Sequence, residues 1–122
     1  MKLKIREVLE AAPVLKKITV FSLPVKVSYN IMRNMKKIEH ELKPFEQSRL
    51  NLVEKYGKES EDGGKVTVAD ENLQSFYKDV ASLLEEEVEV DLRLIKVEQL
   101  EEVKLTPNEI QCIDFIFEKD PE

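Results

Sequence analysis

Chemistry by side chains needs at least two reactive groups held together, and this sequence offers few. His40 is the only histidine and Cys112 the only cysteine, separated by some seventy residues. A Ser/His/Asp or Cys/His arrangement, or a histidine-rich metal site, would have to be built around His40 alone. Cys112 stands among Ile110, Ile113 and Ile116, a setting in which a free thiol is usually a small buried hydrophobe. His40 is expected on a solvated face. One cysteine excludes an internal disulfide, so the fold does not depend on an oxidising compartment. Asp62-Gly63-Gly64-Lys65 lacks the preceding strand and paired glycines of a phosphate loop and reads as a turn. These residues predict no enzyme, no metal and no cofactor.

Charge is the stronger signal. Residues 1–58 carry a net +7 and residues 59–122 a net −13 within the overall −6, so the two halves attract, first within one molecule and otherwise between two copies in a head-to-tail or antiparallel dimer. The densest acidic run is Glu85, Glu86, Glu87, Glu89 and Asp91. Clustered carboxylates can hold Mg²⁺ or Ca²⁺, but a helix end followed by a strand sends these onto diverging faces. A solvated edge that discourages strand-to-strand aggregation is the expectation, with an acidic patch for a basic partner as the sharper reading. Lys26, Arg33, Lys36, Lys37 and Lys43 make the first long helix basic. Without a helix-turn-helix, zinc finger or aromatic stacking platform, a face paired with the acidic half is expected there rather than a nucleic-acid interface. Arg49 occupies a position reserved for apolar groups. Either its stem packs while the guanidinium reaches solvent or a carboxylate at the helix edge, or it forms a buried pair that fixes helix register; the first is preferred. Arg33, Lys36, Lys37, Arg49, Glu85, Glu86, Glu87, Glu89 and Asp91 are the candidate protein-binding residues.

The element that must position the basic group runs from Ile31 to Tyr56. Ile31, Met35, Ile38, Leu42, Phe45, Arg49, Leu52 and Tyr56 alternate spacings of four and three, the heptad rhythm that keeps one helical stripe facing a cover. Pro44 cannot donate to the carbonyl of His40 and crowds the same turn, so a kinked helix or two nearly coaxial ones is predicted. Ser22-Leu23-Pro24 supplies the start and Gly57 the end. Before it, Leu3, Ile5, Val8, Leu9, Ala12 and Leu15 follow a helical period that Pro13 should stop or kink near Ala12, and β-prone residues leave part of 17–21 open to an extended form.

After a polar loop at 57–64, Lys65-Val66-Thr67-Val68 is a strand candidate. Asp70 caps a second amphipathic helix to about Glu86 through Leu73, Phe76, Tyr77, Val80, Leu83 and Leu84, whose stripe is the natural cover for the first helix. Val88, Val90, Leu92 and Leu94 then alternate with charged residues as a strand that pairs with Val66 and Val68. Thr106-Pro107-Asn108-Glu109 is a capping box with Pro at the first helical position and Leu105 packing on Ile110. It opens a last helix with Ile110, Ile113 and Phe117 inward and a frayed tail from Lys119. The 122 residues form one domain, mainly α with a small β element: a kinked long-helix hairpin of 24–56 against 70–86, a two-stranded β ribbon of 65–68 with 88–94, and a C-terminal helix.

Leu23-Pro-Val-Lys-Val-Ser-Tyr29, Phe45-Glu-Gln-Ser-Arg49-Leu, Glu54-Lys-Tyr-Gly57, and the Glu-Val-Glu-Val strand followed by Leu-Thr-Pro107 give the chain a resemblance. It resembles a family of short, largely uncharacterised proteins encoded by phages and prophages of Gram-positive bacteria, over most of residues 20–117. The resemblance implies a phage accessory protein made in the bacterial cytoplasm and brings no catalytic residue with it. Met1-Lys-Leu-Lys-Ile-Arg lacks the apolar core of a signal peptide, and no apolar run approaches a membrane span. The function expected is binding of another protein, first a host defence component and alternatively a phage tail or virion assembly factor, with a nucleic-acid-binding regulator behind both.

Overall fold

The computed structural model describes residues 1–59, 66–68 and 70–119. In chain order they form β1 (Lys2–Lys4), α1 (Ile5–Ile18), α2 (Val25–Tyr56), β2 (Gly57–Glu59), β3 (Val66–Val68), α3 (Leu73–Leu84), β4 (Glu87–Glu89) and α4 (Pro107–Cys112), with 3₁₀ turns at Asp70–Asn72, Val97–Leu100 and Asp114–Ile116. The protein is mainly helical, with a long helix, a helical hairpin, a small β content and a short C-terminal helix.

All eight heptad positions of α2 are buried or half-buried, with Ile31, Ile38 and Phe45 deepest. The cover differs from the expected one. Over the first half of α2 it is α1, whose Val8, Ala11, Val14, Leu15 and Ile18 are buried in one cluster with Val27, Ile31, Ile38, Val90, Ile95, Leu100, Val103, Ile113, Ile116 and Phe117. The hairpin partner α3 packs on the second half, and none of its residues is fully buried.

Both internal prolines lie inside uninterrupted helices, so Pro13, where a stop or kink was expected, does not stop α1, and Pro44, where a kinked helix or two coaxial ones was expected, does not divide α2. Each is exposed, as are Leu9 and His40, the residues whose carbonyls lose a donor, so water can reach that side of the helix. An interior proline costs about 3 kcal/mol, while burying one Val, Leu or Ile contributes about 1.5–3 kcal/mol. Val14, Leu15 and Ile18 beyond Pro13 therefore outweigh it. The long helix starts at Val25 with Pro24 at its N-cap, and Ser22 does not cap it. Instead the Ser28 hydroxyl donates back to the Leu23 carbonyl at 3.1 Å. Leu73 opens α3 with Asn72 at the cap position, the Asn72 side chain donating to the Tyr56 carbonyl at 3.0 Å rather than capping its own helix.

The β pairing is the main correction. The strand at 66–68 does not pair with 88–94 but with Gly57–Glu59, antiparallel, in a local hairpin whose closure needs only a short loop. Lys65 and residues 60–64 lie outside the described residues. β4 pairs with β1, antiparallel, matching Lys2 to Glu89, Leu3 to Val88 and Lys4 to Glu87. Opposite charges directly across an antiparallel pair stabilise it. The strand is also shorter than 88–94. Past Val90 the chain runs extended without a strand partner until Ile95, which bridges Phe117: the Ile95 amide donates to the Ile116 carbonyl and the Glu118 amide to the Ile95 carbonyl, both at 2.8 Å. The alternation slips there, leaving Leu94 45% exposed and Ile95 1% exposed.

What holds the unpaired stretch is Asn34, the one buried polar side chain among the described residues. Its amide donates to the Arg93 carbonyl at 2.9 Å and accepts from the Arg93 amide at 2.7 Å, offering residue 93 the two bonds a neighbouring strand would. The Thr106–Glu109 capping box forms as read, at 3.1 and 3.0 Å. The helix it starts stops at Cys112, however, and Ile113, Ile116 and Phe117 reach the core through the following 3₁₀ turn while Ile110 stays 41% exposed.

Candidate protein-docking groove

A concave, partly apolar surface lies where α1 gives way to α2. Thr19 closes α1, its amide donating to the Leu15 and Lys16 carbonyls and its hydroxyl to the Lys16 carbonyl. The Phe21 amide turns back on the Ile18 carbonyl at 3.1 Å. This short turn sets Phe21 and Leu23 beside the first turns of α2 and leaves a recess of about 280 Å³ floored by Ile18, Leu23, Ile31 and Met35, with Phe21, Met32 and the polar Thr19, Ser28 and Lys36 around it. Apolar exposure continues past the rim. Val20 and Val25 are more than three-quarters exposed, and Tyr29 and Met32 about half. On α2, Val25, Tyr29, Met32 and Lys36 are spaced four, three and four, a second line beside the buried heptad stripe. An apolar patch around a concavity is what a binding surface presents.

The charge of the segment that lines it has one sign, while Glu98, Glu101 and Glu102 line an adjoining cleft that shares Leu23. Every residue lining the recess falls between 18 and 36, and between Glu10 and Glu39 the sequence holds Lys16, Lys17, Lys26, Arg33, Lys36 and Lys37 without an acid. Lys17 is engaged by Glu109 at 3.0 Å, whereas Lys16, Lys26, Lys36 and Lys37 make no ion pair among the described residues. Arg33 is half-buried, and its Nε is buried without a hydrogen-bond partner.

The candidate residues therefore separate into three places. Arg33, Lys36 and Lys37 stand at or beside the recess. Arg49, twelve residues beyond Lys37 or about 18 Å along the axis, pairs with Glu46 on its own helix at 3.2 Å and is partly exposed, so its stem packs and it fixes no register. The acidic run sits at the opposite end of α1, about 20 Å from its last turn. There Glu85 meets Lys4 at 2.8 Å and Arg6 at 2.5 Å, and Glu89 meets the Met1 amine at 2.6 Å. The Glu86 carbonyl accepts the Ile5 amide, Glu87 faces Lys4 across the ribbon, and Asp91 is exposed. The bond from Lys4, with the charge of Arg6, holds the Glu85 carboxyl below its ordinary value of 4.5. Bonding to the Thr106 backbone, with the bond from Lys17, does the same for Glu109. These pairs join the basic and acidic halves within one molecule.

His40 is exposed. Cys112, half-buried, lines a separate cleft with Glu7, Glu10, Asn108, Gln111 and Phe115. Among the described residues no group of His, Cys, Asp and Glu is placed to hold a metal ion, and no helix is long and apolar enough to cross a membrane. The second apolar line on α2 escaped the sequence reading because the heptad stripe beside it is longer; the four-three spacing of Val25, Tyr29 and Met32 was the signal. No protein-family model, curated protein or solved structure matches the chain, so the likeness to small phage proteins stands on the sequence motifs alone.

Proposed function

We propose that this chain is a non-enzymatic protein-binding module whose recognition surface is the recess between the end of α1 and the start of α2. The observation that carries the reading is the exposed apolar line of Val25, Tyr29 and Met32 beside a concavity whose lining segment holds lysines and no acid. At about 280 Å³ the recess lies just below the range of about 300–1,000 Å³ usual for small-molecule sites, and suits one or two anchoring side chains of a partner. The resemblance to phage proteins makes a bacterial host protein, such as a defence component, the first partner to seek, with a tail or virion assembly protein as the alternative.

The test is a tagged pull-down from host cells with and without phage infection, using the wild-type chain, Met32→Asp at the recess, and Leu50→Asp at an exposed site farther along α2. A stoichiometric host protein held by wild type and Leu50→Asp but lost by Met32→Asp is the expected result. Retention by Met32→Asp refutes the recess as the site. Recovery of phage structural proteins alone, and only after infection, replaces the host reading with the assembly one.

A further inference from the structure

Resting on that reading, we infer that the partner segment is an acidic amphipathic helix, laid along α2 with an apolar anchor in the recess. Three observations carry this. The line from Val25 to Lys36 is eleven residues, about 16 Å, the length of three turns of a partner helix and more than one inserted side chain needs. The lining comes from the end of α1, the turn after it and the first turns of α2, and no described β-strand borders it, so no strand edge is offered for an extended peptide to join. A partner docking here must bring its own backbone satisfied, as a helix does. The third observation is charge: Lys36 lines the recess and Lys16 and Lys37 lie close in sequence to its lining, with no acid between Glu10 and Glu39, so acids on the partner's polar face find complementary potential at that end.

A uniformly anionic surface fits less well. Val25 also borders a second cleft lined by Glu98, Glu101 and Glu102, which repels lipid phosphate or a nucleic-acid backbone on that flank, and a concave anchor site is poorly matched to a flat membrane. An individual helix can present acids to the lysines and keep them away from this flank.

The experiment uses three designed, fluorescently labelled helical peptides with the same leucine stripe and polar faces of Glu, Gln or Lys, titrated into the full chain at low and moderate salt. The Glu peptide should bind at least ten-fold more tightly than the Gln peptide, with the gap shrinking as salt rises, and the Lys peptide should not bind. Lys36→Glu with Lys37→Glu should reverse the order, and Met32→Asp should abolish binding. Equal binding of Glu and Gln peptides, lost in Met32→Asp, overturns the charge inference while leaving the recess as a docking site. Peptide binding that survives Met32→Asp removes the recess reading as well. Failure of every peptide overturns the helical partner. Met32-dependent retention on phosphatidylglycerol vesicles would then identify a lipid surface, and Met32-dependent self-association in sedimentation equilibrium a second copy.

Discussion

Removing the Asn34 amide tests the account of how the last third of the chain is held. Asn34 is 0% exposed and makes both of its bonds to one residue, Arg93. A typical hydrogen bond contributes about 1 kcal/mol net, and a buried group left without its partner costs about 1–3 kcal/mol. Arg93's backbone is only part-buried at these bonds, so water recovers some of the loss, and Asn34→Ala should cost about 2–4 kcal/mol, a large share of the about 5–15 kcal/mol available to a domain. Asn34→Leu fills the volume without pairing and should remain destabilised, which separates the lost bonds from a cavity. Asn34→Asp keeps an acceptor for the Arg93 amide but sets a buried charge against the Arg93 carbonyl, and should be the worst of the three. Urea unfolding followed by circular dichroism gives the free energies, and native-state hydrogen exchange reads the Arg93 amide directly. A loss below about 0.5 kcal/mol in Asn34→Ala, less than a single hydrogen bond contributes, would refute the docking role. So would wild-type stability of Asn34→Leu with the Arg93 amide still protected.

Ile95→Ala should cost about 2–5 kcal/mol and Leu94→Ala less than about 0.5 kcal/mol in the same urea assay, since only the first empties the core; the opposite order would mean the alternation runs unbroken to 94. Pro13→Ala and Pro44→Ala should each stabilise the chain by about 2 kcal/mol, the about 3 kcal/mol interior penalty reduced by the freedom returned to the unfolded chain, and a loss of stability in either would show that the proline ring matters to packing. Melting temperature should hold from pH 7 to near 5 and fall with further acidification. Glu85 and Glu109 are held below 4.5 in the folded state, so the stability they add is present above 4.5 and is lost as pH falls through their lowered values. Glu85→Gln with Glu109→Gln should lower the melting temperature at pH 7 and flatten the acid descent, and an unchanged descent would assign it to other carboxylates.

Features that repeat along one helix were legible in the sequence. The heptad stripe of α2 was, because eight positions agree and a single helix imposes the period. The Thr106–Glu109 capping box was, because both of its bonds join residues three apart. What escaped needed partners distant in sequence. Lys2 and Lys4 complement Glu89 and Glu87 in charge, yet three-residue strands carry too little propensity to be seen alone, and Val66 and Val68 looked like the most plausible partners. The stop weighed at Pro13 did not occur, because its local penalty was counted without the tertiary burial of Val14, Leu15 and Ile18 beyond it. Asn34 lies beside the stripe, and nothing local marks it as the dock for residue 93. Among the candidate binding residues, Arg33, Lys36 and Lys37 were named from charge, but the exposed line of Val25, Tyr29 and Met32 near them was not read.

The pairing of the first strand with the fourth bears on synthesis. The 81 residues that separate Lys4 from Glu85 take about 4–16 s to make at about 5–20 residues per second. Through that interval α1 and α2 emerge with Ile18, Ile31 and Ile38 lacking the part of their cover that Ile95, Ile113, Ile116 and Phe117 supply. The nascent chain thus shows an apolar surface to chaperones or to its neighbours until the segment from Ile95 to Phe117 is made and covers it.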